Sequence, residues 1–179
     1  MRVRDHALIS TACAVLAGPF IGRGALGLWA GSVFIDADHY AWFCLRRRCL
    51  DLPAAVRFFN QADPPRHPAT RALHGPAALL IALWLGLRQR RLLPVALGMS
   101  LHVALDAHHV AQMDRARAAA LARDGYSCQK CGAATPPIAA HVWRQPALLP
   151  SYRAQNLVSL CSRCHEAAHA RLTGPASWI

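Results

Sequence analysis

Four cysteines in the last third of the chain form two pairs with the spacing of a metal site. Cys128 and Cys131 make one Cys-x-x-Cys pair, and Cys161 and Cys164 make the second. Four thiolates can bind one zinc ion tetrahedrally, with each pair on its own turn of the backbone. Such an ion replaces the hydrophobic core that a short segment cannot build. The pattern therefore predicts a structural zinc ion in a reducing compartment, and not a disulfide framework.

The residues between and after these pairs predict a strand, a second strand and a helix. The first strand is predicted over 138–143, the second over 156–160 and the helix over 161–172. His165 and His169 lie four residues apart, so they share one face of that helix. Both histidines are therefore expected to point together at whatever sits over the hairpin.

This order of residues resembles the zinc-containing branch of the HNH (ββα-metal) endonucleases over residues 115–170. The segments GYSCQKCGA, AAHVW and NLVSLCSRCHEAAH carry the resemblance. It implies that His141 is the general base that activates water, that Asn156 orients the loop of this histidine, and that His165 binds a catalytic divalent cation. That cation would be Mg²⁺, Mn²⁺, Ni²⁺ or Zn²⁺, and it would neutralise charge that develops on a phosphodiester. An imidazole is a suitable base near neutral pH.

One position departs from the family pattern. Many members have Asp, His or Glu directly before the general base as a metal ligand, whereas this chain has Ala140. His169 is the nearest replacement ligand by helix spacing, and Glu166 is a weaker one. A zinc ribbon that binds nucleic acid without cutting it therefore stays open as an alternative.

Positive charge points to a polyanionic partner. The chain has a formal net charge of +11 and a pI near 10.4, which favours DNA or a phospholipid surface. Nothing in the sequence resembles a base-reading helix, so we expect DNA binding with little sequence specificity. The basic residues around the zinc pattern are Arg115, Arg117, Arg123, Lys130, Arg144, Arg153, Arg163 and Arg171.

The first 113 residues predict a separate, apolar helical domain in front of the HNH module at 114–179. A helix that spans a bilayer needs roughly 20 apolar residues. The uncharged stretches of this domain reach about that length when neighbouring stretches are joined across single acidic residues. We therefore expect a mainly α fold, with four apolar membrane-embedded helices followed by a small zinc-stapled ββα domain. The expected location is a bacterial inner membrane, with the HNH domain in the cytoplasm. A soluble four-helix bundle in the cytoplasm is the alternative.

Polar residues inside these apolar stretches form a second set of candidate metal ligands. Asp and His side chains suit a divalent metal such as zinc, and polar groups in apolar helices are costly enough to suggest a function. His102 and Asp106 are four residues apart and share a helix face. The set comprises Asp36, Asp38, His39, His74, His102 and Asp106, with His6 at the start of the first helix.

The segments GSVFIDADHY, TRALHGP and HVALD resemble the predicted inner-membrane metal-dependent hydrolases over residues 6–110. That family carries a DxDH motif, a central His-Arg motif at a helix start and an HxxxD motif. The chain departs from the central motif, because Thr70-Arg71 stands in its place and His67 lies upstream. The second functional hypothesis is therefore a membrane-embedded metal-dependent hydrolase that acts on a lipid-like or small ester substrate, with the zinc module as an accessory.

Overall fold

The computed structural model describes residues 3–60, 68–142 and 151–172. The chain divides into two compact units, Met1–Ala107 and His108–Ile179, which we call the N-terminal unit and the C-terminal unit. The helices are α1 Val3–Ile21, α2 Gly24–Phe34, α3 Ala37–Arg47, α4 Leu52–Phe59, α5 Pro76–Arg88, α6 Leu93–Arg123 and α7 Ser162–Leu172. The strands are β1 Ile138–Val142 and β2 Leu157–Cys161, and short 3₁₀ turns cover Pro68–Arg71 and Ala154–Asn156.

The expectation of four membrane-embedded helices is wrong. Within the described residues, no helix combines the length and the apolarity needed to cross a membrane. One spanning helix was expected over 24–45, joined across Asp36 and Asp38, but α2 ends at Phe34. Asp36 lies at the N-cap position of α3 and Asp38 in its first turn. Acidic residues are favoured there by the helix dipole. Helices α2 and α5 have 11 and 13 residues, so they are only about 17 and 20 Å long. The hydrocarbon layer of a membrane is about 30 Å thick.

Helix α4 follows α3 after a short connection. The carboxylate of Asp51 accepts a hydrogen bond from the amide of Ala54 at 3.1 Å, and Pro53 occupies the first turn. A capping acid and an early proline are both typical of a helix start. The aromatic side chains of Phe43 on α3 and Phe58 on α4 are buried together.

Two glycines let α2 and α6 approach until their backbones touch. A β-carbon added at Gly31 would overlap the carbonyl of Val95, and one added at Gly98 would overlap the carbonyl of Leu28. Only glycine fits such a close approach. The contact brings the last turn of α2 beside the middle of α6, where His102 lies.

The C-terminal unit is built on a short antiparallel hairpin. Strand β1 pairs with β2 so that His141 lies opposite Val158 and Val142 opposite Leu157. Leu157 is 1% exposed and is buried with Met113, Ala116 and Ala120 of α6. A second small core gathers Cys128, Leu160 and Cys164 at the other end of the hairpin. Helix α7 follows β2 directly, which gives the order β1, β2, α7.

Candidate metal centres

The four cysteines of the Cys-x-x-Cys pairs lie on two turns that face each other. The first turn is closed by hydrogen bonds of 2.8 Å from the amide of Gly132 to the carbonyl of Cys128, and from the amide of Cys128 to the carbonyl of Ala133. Gly132 has a φ of +75°, a backbone conformation that glycine adopts readily. The second pair is carried by the end of β2 and the first turn of α7.

The geometry of this cluster fits a zinc ion. The four Sγ atoms all lie within 4.8 Å of one another, and Cys131 Sγ is 3.7 Å from Cys161 Sγ. Zinc–sulfur bonds of about 2.3 Å in a tetrahedron separate the sulfur atoms by about 3.8 Å. The pKa of Cys128 falls to about 6, because hydrogen bonds from backbone amides, the largest from Cys161, outweigh the opposing effect of burial. The cysteine cluster could therefore hold a structural zinc ion, as its spacing predicted.

Two histidines meet beside this cluster. His141 on β1 is 7% exposed, and its ring lies 4.9 Å from the ring of His165 at an interplanar angle of 86°. His165 directly follows Cys164, so the turn that carries the second cysteine pair also fixes the start of α7. Asn156 directly precedes β2, at the end of the hairpin where Leu157 pairs with Val142, and its side-chain amide donates to the hydroxyl of Ser151 at 2.7 Å.

Ala140 points away from these histidines. Neighbouring residues of a strand face opposite sides, and Ala140 packs against the core cluster of α6. A metal ligand at position 140 would therefore enter an apolar core. Glu166 is exposed on α7, and the side chain of His169 lies outside the described residues. Among the side chains that the structure describes, no group of three metal-ligating atoms includes His141 or His165.

A second cluster in the N-terminal unit, which we call the Asp–His cluster, gathers all six predicted ligands of the apolar region together with His6. His74 Nε2 lies 3.3 Å from His102 Nε2. Asp36 Oδ1 lies 3.2 Å from His74 Nε2 and 3.5 Å from His102 Nε2. These three side chains form one of the groups whose donor atoms are close enough together for one ion.

His6 and Asp106 extend the same group. His6 Nε2 lies 2.9 Å from Asp106 Oδ1, and His102 Nε2 lies 3.6 Å from Asp106 Oδ2. The rings of His6 and His102 stack at 4.0 Å with an interplanar angle of 8°. Both ring edges therefore present Nε2 to the same carboxylate, and His6, His102 and Asp106 form a further possible metal group.

The Nδ1 atoms of His102 and His74 contact polar groups outside the group of facing Nε2 atoms. His102 Nδ1 donates to the backbone carbonyl of Ser32 at 2.7 Å, and His74 Nδ1 lies 3.4 Å from Asp38 Oδ2. A carbonyl can only accept, so the proton of a neutral His102 is on Nδ1 and its Nε2 keeps the lone pair that binds metals. Metal-binding histidines in proteins are oriented in this way. The Ser32 carbonyl belongs to the last turn of α2, where carbonyls lack partners within the helix, and no side-chain pattern signals it.

Asp38 and His39 lie outside the group formed by Asp36, His74 and His102. Asp38 Oδ1 accepts from the amide of His39 at 2.7 Å and lies 2.8 Å from His39 Nδ1, while Asp38 Oδ2 accepts from the amide of Leu73 at 2.9 Å. Asp38, His39 and His74 also form a possible metal group. However, the carboxylate of Asp38 already contacts two backbone amides and two histidines, which is typical of a residue that orients a metal ligand.

The electrostatics of the cluster favour a positive charge at its centre. Burial acts to lower the pKa of His74, but hydrogen bonds to Asp36 and Asp38 and their charges outweigh it and raise this pKa to about 9. Burial acts to raise the pKa values of Asp36, Asp38 and Asp106, and the surrounding histidines and amides lower all three. The carboxylates therefore stay ionised and hold a cation among them, which is a proton on His74 when no metal is bound.

Comparison of the chain with protein-family models, with curated proteins and with solved structures gave no match. Neither resemblance drawn from the sequence motifs has a family match behind it. The cysteine cluster and the Asp–His cluster therefore stand on their own residues and geometry.

Proposed function

We propose that the C-terminal unit is a metal-dependent endonuclease of the HNH type that hydrolyses phosphodiester bonds in DNA. The observation that supports this proposal best is the contact between the rings of His141 and His165, 4.9 Å apart. These rings come from the first strand and the helix of a β-β-α unit whose turns are joined by four clustered thiols. The thiols favour a reducing compartment, such as the cytoplasm.

Each residue has a distinct role in this proposal. His141 accepts the proton of the attacking water, since an imidazole titrates near neutral pH. Asn156 orients the segment that carries His141. His165 binds a divalent cation, which supplies charge stabilisation at the scissile phosphate when it is bound. The zinc ion of the cysteine cluster is structural.

Exposed basic residues of the same unit would supply the affinity for DNA. Arg115, Lys130, Arg153 and Arg163 are all exposed. Contacts of such residues with phosphates give affinity without sequence reading. Binding should therefore weaken steeply as the salt concentration rises.

The test is cleavage of supercoiled plasmid by the full-length protein with Mg²⁺, Mn²⁺ or Ni²⁺. We expect nicking by the wild type and a loss of at least about 100-fold for His141→Ala, because the general base contributes about that much. His108→Ala is the matched control, since His108 is an exposed histidine of the same unit. Equal cleavage by His141→Ala and the wild type would refute the assignment. Binding of DNA without cleavage under any metal would favour the non-catalytic zinc ribbon.

A second function is favoured by the facing Nε2 atoms of His74 and His102. We propose that the Asp–His cluster binds a divalent cation such as zinc and that the N-terminal unit is a metal-dependent hydrolase of lipid-like or small ester substrates. Asp36 and Asp106 have side chains that are 28% and 37% exposed, so a substrate can reach this side of the cluster. A cation there would supply a water of lowered pKa for attack on the ester.

Metal analysis of the full-length protein separates the two centres. The cation proposed at His165 is added only in the cleavage assay, so it does not count in protein dialysed without added metal. In such protein we expect two metal ions per chain in the wild type and one in His102→Gln, which keeps the cysteine cluster. His108→Gln is again the control, because His108 also lies on α6 but outside the Asp–His cluster. A wild type that binds one metal ion, lost on substitution of Cys164 and not of His102, would exclude a metal centre in the N-terminal unit.

A further inference from the structure

Arg123, the last residue of α6, donates hydrogen bonds to backbone carbonyls of the C-terminal unit. Its Nη1 donates to the carbonyl of Ala154 at 2.8 Å, and its Nη2 donates to the carbonyl of Leu157 at 2.9 Å. Ala154 and Leu157 stand on either side of Asn156 in the sequence. One guanidinium therefore holds both ends of the turn that carries Asn156.

Asp124 completes this contact. It accepts from Arg123 Nε at 2.7 Å and from Arg123 Nη2 at 2.9 Å, and its Oδ2 accepts from the amide of Ser159 on β2 at 3.0 Å. The side chain of Asp124 is 7% exposed. On the same residue of β2, the carbonyl of Ser159 accepts from the amide of Gln129 at 2.9 Å. The chain after α6 thus binds the outer edge of β2.

The planar fork of arginine is essential to this arrangement. Arg123 donates in three directions at once, to a carboxylate and to two carbonyls, whereas a lysine ammonium on its flexible stem cannot hold the same three acceptors in a fixed plane. Paired, charge-assisted hydrogen bonds of this kind add geometric specificity as well as energy. An isolated exposed ion pair would contribute little, but here the acceptors belong to the backbone of the candidate site.

We propose that Arg123 is a positioning residue for the HNH site, which fixes Asn156 directly before β2, at the end of the hairpin where Leu157 pairs with Val142 of β1. This proposal rests on the proposed nuclease function. Arg123 does not touch the reacting atoms in this role. Its guanidinium sets the path of the backbone from Ala154 to Leu157, and this path places the amide of Asn156 relative to the strand that carries His141. Arg123 was expected among the phosphate-binding residues, and its internal contacts give it a different task.

The first test compares Arg123→Lys with Arg91→Lys in cleavage of supercoiled plasmid with Mn²⁺. Arg91 is the control because it is an exposed arginine of the turn between α5 and α6, in the N-terminal unit. We expect Arg123→Lys to lower kcat by about 10- to 100-fold with little change in KM, since a small displacement of a site residue has this effect. Arg91→Lys should keep kcat. Both variants should retain the zinc ion.

The second test reads the position of Asn156 without relying on activity. The chain has two asparagines, Asn60 and Asn156, so ¹⁵N-asparagine labelling gives two side-chain amide signals, and Asn60 serves as an internal reference. We expect Arg123→Lys to shift the Asn156 signal and leave that of Asn60 in place. Unchanged kcat together with an unchanged Asn156 signal would overturn the proposal. So would a loss of kcat that occurs only together with loss of zinc.

The two proposals fail in different ways. If the wild type cuts no DNA with any metal, the nuclease function fails. The Asn156 signal of Arg123→Lys then still decides whether Arg123 fixes this residue.

Discussion

The Nε2 atoms of His74 and His102 face each other at 3.3 Å, although one histidine precedes α5 and the other lies on α6. Two lone pairs at this distance repel each other unless a proton or a metal ion lies between them. The Ser32 carbonyl holds the proton of a neutral His102 on Nδ1, so the group between the two nitrogens is a proton on His74 Nε2 or a metal ion. The pKa of His74, raised to about 9, indicates that a proton takes this place when no metal is present.

The close packing of α2 and α6 should control metal binding in the N-terminal unit. A methyl group at position 98 would overlap the carbonyl of Leu28, so Gly98→Ala must push the helices apart and move His102 away from Ser32. Overpacking of this kind costs about 1–3 kcal/mol. We expect a lower Tm and the loss of one metal ion per chain.

Gly18→Ala is the control for this substitution, because a β-carbon at position 18 meets nothing within 4 Å. Alanine favours a helix over glycine by up to about 1 kcal/mol, so this variant should keep the Tm of the wild type or exceed it. A Gly98→Ala protein with normal metal content would show that the Ser32–His102 contact does not support metal binding.

The raised pKa of His74 predicts a pH dependence of stability in the metal-free protein. A histidine whose pKa rises from 6.5 in the unfolded chain to about 9 in the folded one stabilises the fold fully below pH 6.5. This stabilisation disappears as the pH rises through about 9. The free energy of unfolding of the wild type minus that of His74→Gln should therefore fall between pH 6.5 and 9. The cysteines titrate in both proteins and cancel in this difference, which urea unfolding in the presence of a chelator measures. A difference that is flat over this range would contradict the raised pKa.

Local spacing predicted only part of each cluster. The Cys-x-x-Cys spacing predicted that Cys128 and Cys131 lie together, as do Cys161 and Cys164, and four such thiols suit one tetrahedral zinc ion. In the N-terminal unit, His102 and Asp106 are joined by the helix period alone. Asp36 and His74 come from separate segments, and their mutual contacts required the fold.

The remaining features depend on backbone contacts that residue types do not report. The sequence gives no sign that the carbonyl of Ser32 accepts from His102, or that Arg123 donates to Ala154 and Leu157. The apolar stretches suggested long helices because hydropathy does not register that the chain ends one helix at Phe34 and begins the next at Ala37.

Leu157 should be the most sensitive apolar residue of the C-terminal unit. It is 1% exposed and lies against Met113, Ala116 and Ala120. Truncation of a buried leucine costs about 2–5 kcal/mol, and this unit has few other apolar residues to close the gap. Leu157→Ala should lower the free energy of unfolding by this amount in urea denaturation. The control is Val110→Ala, since Val110 is 54% exposed on α6 and should change stability by less than about 0.5 kcal/mol.

The cysteine cluster could hold a zinc ion, and we predict that the hairpin of the C-terminal unit unfolds without this ion. Among the described residues, the core around the cysteine cluster has three buried members, Cys128, Leu160 and Cys164. A core this small cannot stabilise a fold without a metal ion. Cys164→Ser should release one zinc ion per chain and abolish hydrogen-exchange protection of the β2 amides. Cys13→Ser, at a cysteine of α1 outside the cluster, should leave both quantities unchanged. Protection of β2 that survives in zinc-free Cys164→Ser would mean that the packing of Leu157 against α6 suffices, and that the metal has a role other than holding the hairpin.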